Sequence, residues 1–256
     1  SFYGKGDYAR AVRDYDEYIK LRAGDEIAHH NRGLAHAELK EYDKAIADYD
    51  EAIRLDPDYA DAYHERAIAY YWKRAFDRAI VDLDQVIKRR PDDAAAYYDR
   101  GLAYDEKGEY DRAIIDYDMA IKLDPDDPDV WNNRGYAFQN KGEYDRAIAD
   151  FDHAIALQPH AGAYLNRGNA YYHKNRCDLA LKDYDKAVEL DPKDGWGYHN
   201  RGLCHFRMDD AERAILEYDE AAKLMPDESW VFVNRVDAYL AKRTYDKAIA
   251  DYDRAI

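Results

Sequence analysis

Seven arginines stand at a regular interval: Arg32, Arg66, Arg100, Arg134, Arg167, Arg201 and Arg235. Sixteen residues after each comes a carboxylate, in turn Asp48, Asp82, Asp116, Asp150, Asp183, Glu217 and Asp251. Two residues further on comes another: Asp50, Asp84, Asp118, Asp152, Asp185, Asp219 and Asp253. A planar guanidinium meets a carboxylate through two parallel N–H···O bonds, so these residue types can form a repeated fork-to-carboxylate ladder. Five of the arginines are preceded by asparagine, at Asn31, Asn133, Asn166, Asn200 and Asn234, with Glu65 and Asp99 in the other two places. Asparagine is a mediocre helix residue, so its recurrence asks for a cause. Its amide donates and accepts at once, which suits the backbone of an extended peptide. The alternative is hydrogen bonding inside the protein.

The same inventory argues against bond-breaking chemistry. His30, His64 and His199 recur two residues ahead of an arginine, without a cysteine or carboxylate at ligand spacing, so no zinc site is expected. No H-E-x-x-H motif, Gly-rich phosphate loop or nucleophile elbow is present. The many aspartates follow the repeat and need no acid–base explanation. The expectation is therefore no catalytic site, no metal and no cofactor.

The chain of 256 residues is 47% hydrophobic and 36% charged, the composition of a folded protein. Its formal charge of −16 opposes the phosphate backbone of nucleic acid and anionic membrane, and favours a basic or neutral protein partner. No apolar run approaches the roughly 20 residues a membrane helix needs. Tyrosine is used 26 times, which suggests a repeated structural slot. Cys177 and Cys204 do not make a disulfide framework, and Cys204 takes a place held by Ala in sister segments, so it reads as a small buried thiol. The sequence begins with Ser1 and is expected to be a piece of something longer. It does not fix the compartment; the cytoplasm is the default expectation.

These residues are positioned by an internal repeat. After each arginine stands Gly33, Ala67, Gly101, Gly135, Gly168, Gly202 or Val236, at spacings of 34, 34, 34, 33, 34 and 34. Twelve residues on is always Ala, and four beyond that an aromatic in every unit but one, where Leu83 stands. Pro closes the units at Pro57, Pro91, Pro125, Pro159, Pro192 and Pro226. This pattern resembles the tetratricopeptide repeat over essentially the whole chain. Small residues fall at repeat positions 8, 20 and 27, aromatics at 4, 11, 17 and 24, and Pro at 32. Counting so that Gly33 is position 8, units start at 26, 60, 94, 128, 161, 195 and 229, residues 1–25 form a partial unit, and the last unit is truncated. The resemblance implies an all-α fold, an α-α superhelix: one right-handed solenoid of antiparallel helix pairs over 1–256. Periodicity agrees, with two helical stretches per unit over positions 2–14 and 17–30. Turns between them carry Gly6, Gly108, Gly142 or Asn175, which tolerate the left-handed conformation, and "LDPD" stops the second helix.

On a helical wheel, positions 3, 4, 7, 8, 10, 11 and 14 of the first helix share an inward face. Arginine sits in its middle at position 7, where many family members have Leu. An Arg aimed at packed helices needs a carboxylate of its own or a neighbouring unit; an anion-binding stripe is the alternative. Positions 2, 5, 6, 9, 12 and 13 share the other face, which in this family lines a concave groove. It carries the asparagines, then Asp61, Glu65, Asp99, Asp105 and Glu106 interleaved with Tyr71, Trp72 and Tyr98, and later Trp196, Trp230, Leu203, Phe206, Val233 and Leu240. A peptide with Lys or Arg followed by bulky apolar residues would match. Against that stand a plain solvated acidic face and, for the tryptophans, cover by a further helix. Positions 2, 5 and 6 hold no Lys or Arg, which disfavours capture of a C-terminal carboxylate of the chaperone-tail type. The leading expectation is a non-catalytic scaffold binding a protein or peptide segment in the groove. The alternatives are a regulatory domain of a larger enzyme or signalling protein, and a solenoid that self-associates through its open ends.

Overall fold

A computed structural model describes residues 7–256, so the expected turn at Gly6 lies outside the described residues. Among these, all regular structure is α-helical and the fold is an α-α superhelix of consecutive antiparallel helix pairs. The chain divides into two compact units, Ser1–Pro125 and Asp126–Ile256. The first holds α1 (Tyr8–Leu21), α2 (Glu26–Glu38), α3 (Tyr42–Leu55), α4 (Ala60–Trp72), α5 (Phe76–Arg89), α6 (Ala94–Glu106) and α7 (Tyr110–Leu123). The second holds α8 (Pro128–Asn140), α9 (Tyr144–Leu157), α10 (Ala161–His173), α11 (Cys177–Leu190), α12 (Gly195–Arg207), α13 (Ala211–Leu224), α14 (Ser229–Ala241) and α15 (Tyr245–Ala255). No helix among the described residues is long and apolar enough to cross a membrane.

First helices begin and end one residue earlier than the periodicity suggests, and their caps give the reason. Asp25, Asp93, Asp127 and Asp194 accept hydrogen bonds from backbone N–H groups of the first turn, which satisfies otherwise orphaned donors. At the other end each first helix stops on a left-handed residue. Gly108, Gly142 and Asn175 adopt it as their types foretell, but so do Lys40, Arg74, Asp209 and Arg243. Second helices stop where the residue before Pro turns extended, as at Asp56.

Packing follows the small-and-aromatic register. Ala45, Ala79, Ala113, Ala147, Ala180, Ala214 and Ala248 are buried. Tyr49, Tyr117, Phe151, Tyr184 and Tyr218 of the second helices are fully enclosed. Each lies against the position-8 glycine of its own unit, where an added Cβ would approach the ring to between 2.5 Å (Gly168, Gly202) and 2.8 Å (Gly135). This is the slot that so many tyrosines fill. Cys177 and Cys204 are buried free thiols in one apolar cluster.

The arginine ladder exists and is more demanding than one carboxylate per Arg. Arg100 offers Nε and Nη2 to the two oxygens of Asp116 on α7, at 2.8 and 2.6 Å, and Nη1 to Asp84 on α5, at 2.5 Å. Arg32, Arg66, Arg167 and Arg235 do the same, and Arg201 differs in donating Nε and Nη2 to a single oxygen of Glu217; each joins the carboxylate of its own second helix to one on the preceding second helix. Arg134 forks onto Asp150. The guanidinium also lies over the aromatic at position 4, for example Trp131 under Arg134 at 4.8 Å and Tyr198 under Arg201 at 5.0 Å. Own-unit carboxylates such as Asp82 are buried, at 3% exposure, whereas Asp84 lies open to solvent. Burial pushes the Asp82 carboxyl up against the opposing pull of Arg66. Truncating Asp82 leaves a half-buried guanidinium short of its main partner. Asp82→Ala is therefore expected to cost about 3 kcal/mol or more, and Asp84→Ala about 1 kcal/mol or less; equal losses in chemical denaturation would refute the asymmetry.

Candidate functional site

In the first unit, first helices α2, α4 and α6 lie side by side and carry the expected acidic and aromatic residues. Asp61 does not stand free there, because Arg90 donates to it from the end of α5 at 2.6 Å. Arg90 and then the nearby histidines hold the Asp61 carboxyl below its usual range. Asp99 is joined by His64 of the preceding repeat, Nε2 to Oδ2 at 2.6 Å. Burial pulls the His64 pKa down, but the hydrogen bond and charge of Asp99 outweigh it and the net shift is upward. Glu106 meets Arg74 more loosely, at 3.4 Å.

Two carboxylates on this face keep their charge unbalanced. Glu65 is half-buried, and burial together with Asp99 and Asp61 pushes it up despite His64. Asp105 has a buried Oδ1 that accepts no hydrogen bond, and burial followed by the neighbouring Glu106 raises its pKa to about 6. Beside them Tyr71 stands edge-on to the exposed ring of Trp72, with centroids 5.9 Å apart. A buried carboxylate oxygen without a donor is costly.

In the second unit the asparagines lie on the first helices as expected, but the structure partly engages them. Asn166 donates to Asn132 of the preceding repeat at 3.1 Å. Asn200, which is buried, donates to Asn169 at 2.9 Å, and the same oxygen accepts from Tyr184 Oη. Asn234 Nδ2 lies 3.4 Å from His199 Nε2. Asn133 is half-buried, as is Asn31 in the first unit. The contacts between repeats share a tendency: position 6 of one repeat meets position 5 or 9 of the repeat before it, as in His64 with Asp99, Asn169 with Asn200 and His199 with Asn234. The sequence holds that signal, since polar partners stand in the paired places.

One expectation is corrected. The helical wheel puts His30 and His199 on the open groove face, yet both are buried, at 8% and 4% exposure. The wheel treats a helix as isolated, whereas the next first helix covers position 5. His199 meets the Trp230 ring edge-on at 4.3 Å, and Trp230 stacks on Trp196 at 4.6 Å. Burial lowers the His199 pKa to about 4, so the ring is neutral near pH 7. The two tryptophans thus cover each other and His199, leaving Trp196 half-exposed; Val233 and Leu240 on α14 are exposed apolar side chains as well.

Tetratricopeptide repeat models match residues 27–59, 64–128 and 103–164, and a TPR repeat model matches 168–209. The chain belongs to the tetratricopeptide repeat family. Solved structures agree in fold. The APC/C hetero-tetramer Cut9–Hcn1 superposes with a TM-score of 0.73 at 18% identity, over 93% of this chain and 47% of that one, so this chain spans less than half of that relative. YrrB, described as a TPR protein with an unusual peptide-binding site, gives 0.62 at 24% identity, over 72% and 96%. MamA gives 0.60 at 28% identity, over 63% and 95%. No curated protein matches the chain. The tetratricopeptide fold is that of a protein–protein interaction scaffold, and such proteins are generally non-catalytic.

The isolated Asp105 carboxyl gives a direct test. Its folded pKa of about 6 lies above the ordinary 3.8, so its ionisation opposes folding as pH rises through about 6. Asp105→Asn should stabilise the chain at neutral pH by about 1 kcal/mol after allowance for partial solvent screening. That gain should fade as pH falls towards 4; a gain independent of pH would exclude a perturbed carboxyl.

Proposed function

We propose that this tetratricopeptide chain is a non-catalytic scaffold that binds an extended protein segment carrying Lys or Arg along its first-helix face. The observation that carries the reading is Asp105, whose buried Oδ1 has no donor, next to Glu106 and close to the ring of Tyr71, which also feels Asp99 and stands edge-on to Trp72. An incoming ammonium or guanidinium relieves that cost, and aromatic faces attract the same cation. The formal charge of −16 adds a long-range pull on basic partners.

In the second unit the amides of Asn166 and Asn200 each spend a donor on a neighbouring asparagine, which holds the side chains in one orientation. That leaves their own carbonyl oxygens to accept from a peptide backbone N–H. Trp196 and Trp230 offer an apolar shelf for bulky side chains. The peptide-binding site for which YrrB is described supports a peptide as the class of partner.

A random peptide library panned against the chain is expected to enrich Lys- and Arg-containing sequences. Affinity for the enriched peptides should fall with salt, as expected of screened charge attraction. Asn166→Ala combined with Asn200→Ala should weaken them by roughly fivefold to a hundredfold, the worth of two hydrogen bonds. No enrichment, or enrichment of acidic peptides, would contradict the reading.

A further inference from the structure

Two repeats depart from the glycine–aromatic pairing, at Ala67 with Leu83 and at Val236 with Tyr252, and a cavity lies beside the first. Where sister repeats place Gly against a ring, the repeat starting at 60 has Ala67 against Leu83. Ala67 and Leu83 compensate each other: a Cβ at the equivalent Gly101 would sit 2.6 Å from the Tyr117 ring, so Ala67 leaves no room for a tyrosine at 83. Leucine is shorter than the ring it replaces. Beside it lies a cavity of about 190 Å³, with Ala67 and Leu83 as buried floor, Ile68 and Leu102 as walls, and Asp99 and the exposed Trp72 at its margin. An apolar cavity of about 150 Å³ is known to hold a benzene molecule. The volume is therefore that of one aromatic side chain.

The surroundings select the residue next to that side chain. Asp105 stands one helical turn beyond Leu102 on α6, with its buried oxygen unsatisfied. Tyr71, which also lines the cavity, feels the charges of both Asp105 and Asp99. An apolar socket near the unsatisfied carboxylate of Asp105 is complementary to a ring adjoining a cation.

We infer that the cavity beside Leu83 is the specificity socket of the groove, taking a Phe or Tyr ring of the partner segment while an adjacent Lys or Arg pairs with Asp105. This rests on the peptide-binding reading above and adds the identity of its anchor. The cavity lies beside Leu83, the residue that stands where sister repeats carry an aromatic, so a partner's ring there packs on apolar side chains that no ring of the chain itself covers.

The test fills the socket with the pair found in sister repeats. Ala67→Gly/Leu83→Tyr rebuilds the arrangement of Gly101 and Tyr117. Ala67→Gly/Leu83→Phe, which copies Gly135 and Phe151, replaces it if the first variant folds poorly by circular dichroism. The probes are two short synthetic peptides that differ only in a central Phe-Lys or Ala-Lys. Wild type should bind the Phe-Lys peptide about tenfold or more tightly than the Ala-Lys peptide. The filled variant should bind the two alike, with thermal stability retained. Persistence of the Phe preference in the filled variant would overturn the socket. Equal binding of both peptides to wild type would overturn it too, and leave the groove standing. Failure of these peptides and of every library peptide to bind wild type would remove the groove reading, and the socket with it.

Discussion

Within each unit, a guanidinium that must satisfy two carboxylates at once ties a helix pair to the second helix before it. In Arg100, Nε and Nη2 grip Asp116 while Nη1 reaches Asp84 of the preceding second helix, and the same sharing of donors recurs in the repeats of Arg32, Arg66, Arg167, Arg201 and Arg235. Replacing such a network with apolar residues is often neutral or better for stability, so its value here is positional. A leucine at this place could pack in several registers, whereas a fork has one. The cost is paired burial of charge, and the position-4 rings that lie on each guanidinium help to bear it.

With the inner seam fixed this way, the opposite face of the first helices keeps contacts between repeats but no single repeated pair. It can diverge from repeat to repeat, and it does. The first unit gathers Glu65, Asp99 and Asp105 near Tyr71 and Trp72, while the second presents asparagines and a stacked pair of tryptophans. Even the core pairing of a position-8 residue with a ring gives way at Ala67 and Leu83, where the change opens a cavity on that face. The repeated ladder and the divergent residues thus occupy different repeat positions on the same helix.

Much of this was legible in the residues. The repeat, its helix pairs, the arginine ladder and the turns at Gly108, Gly142 and Asn175 all follow from spacing and residue type. What the sequence hid was set by neighbours in space. Lys40, Arg74, Asp209 and Arg243 carry no left-handed signal, because the pairing of two helices imposes that conformation on whatever residue closes the first. His199 looks open on a wheel drawn for one helix, and is covered by Trp230 of the next. Asp61 looks like a free carboxylate, but Arg90 reaches it from a position outside the helical register. Asn200 could be read for a ligand or for the fold, and its amide serves Asn169.

The most direct measurement of the central claim is amide hydrogen exchange on an Arg100→Leu variant. If the fork joins repeats, protection should fall along α6 and α7 relative to α2 and α3, as the repeats begin to open separately. A uniform change across the first unit, or none, would mean that apolar packing alone couples the repeats and that the arginine ladder is incidental to the fold.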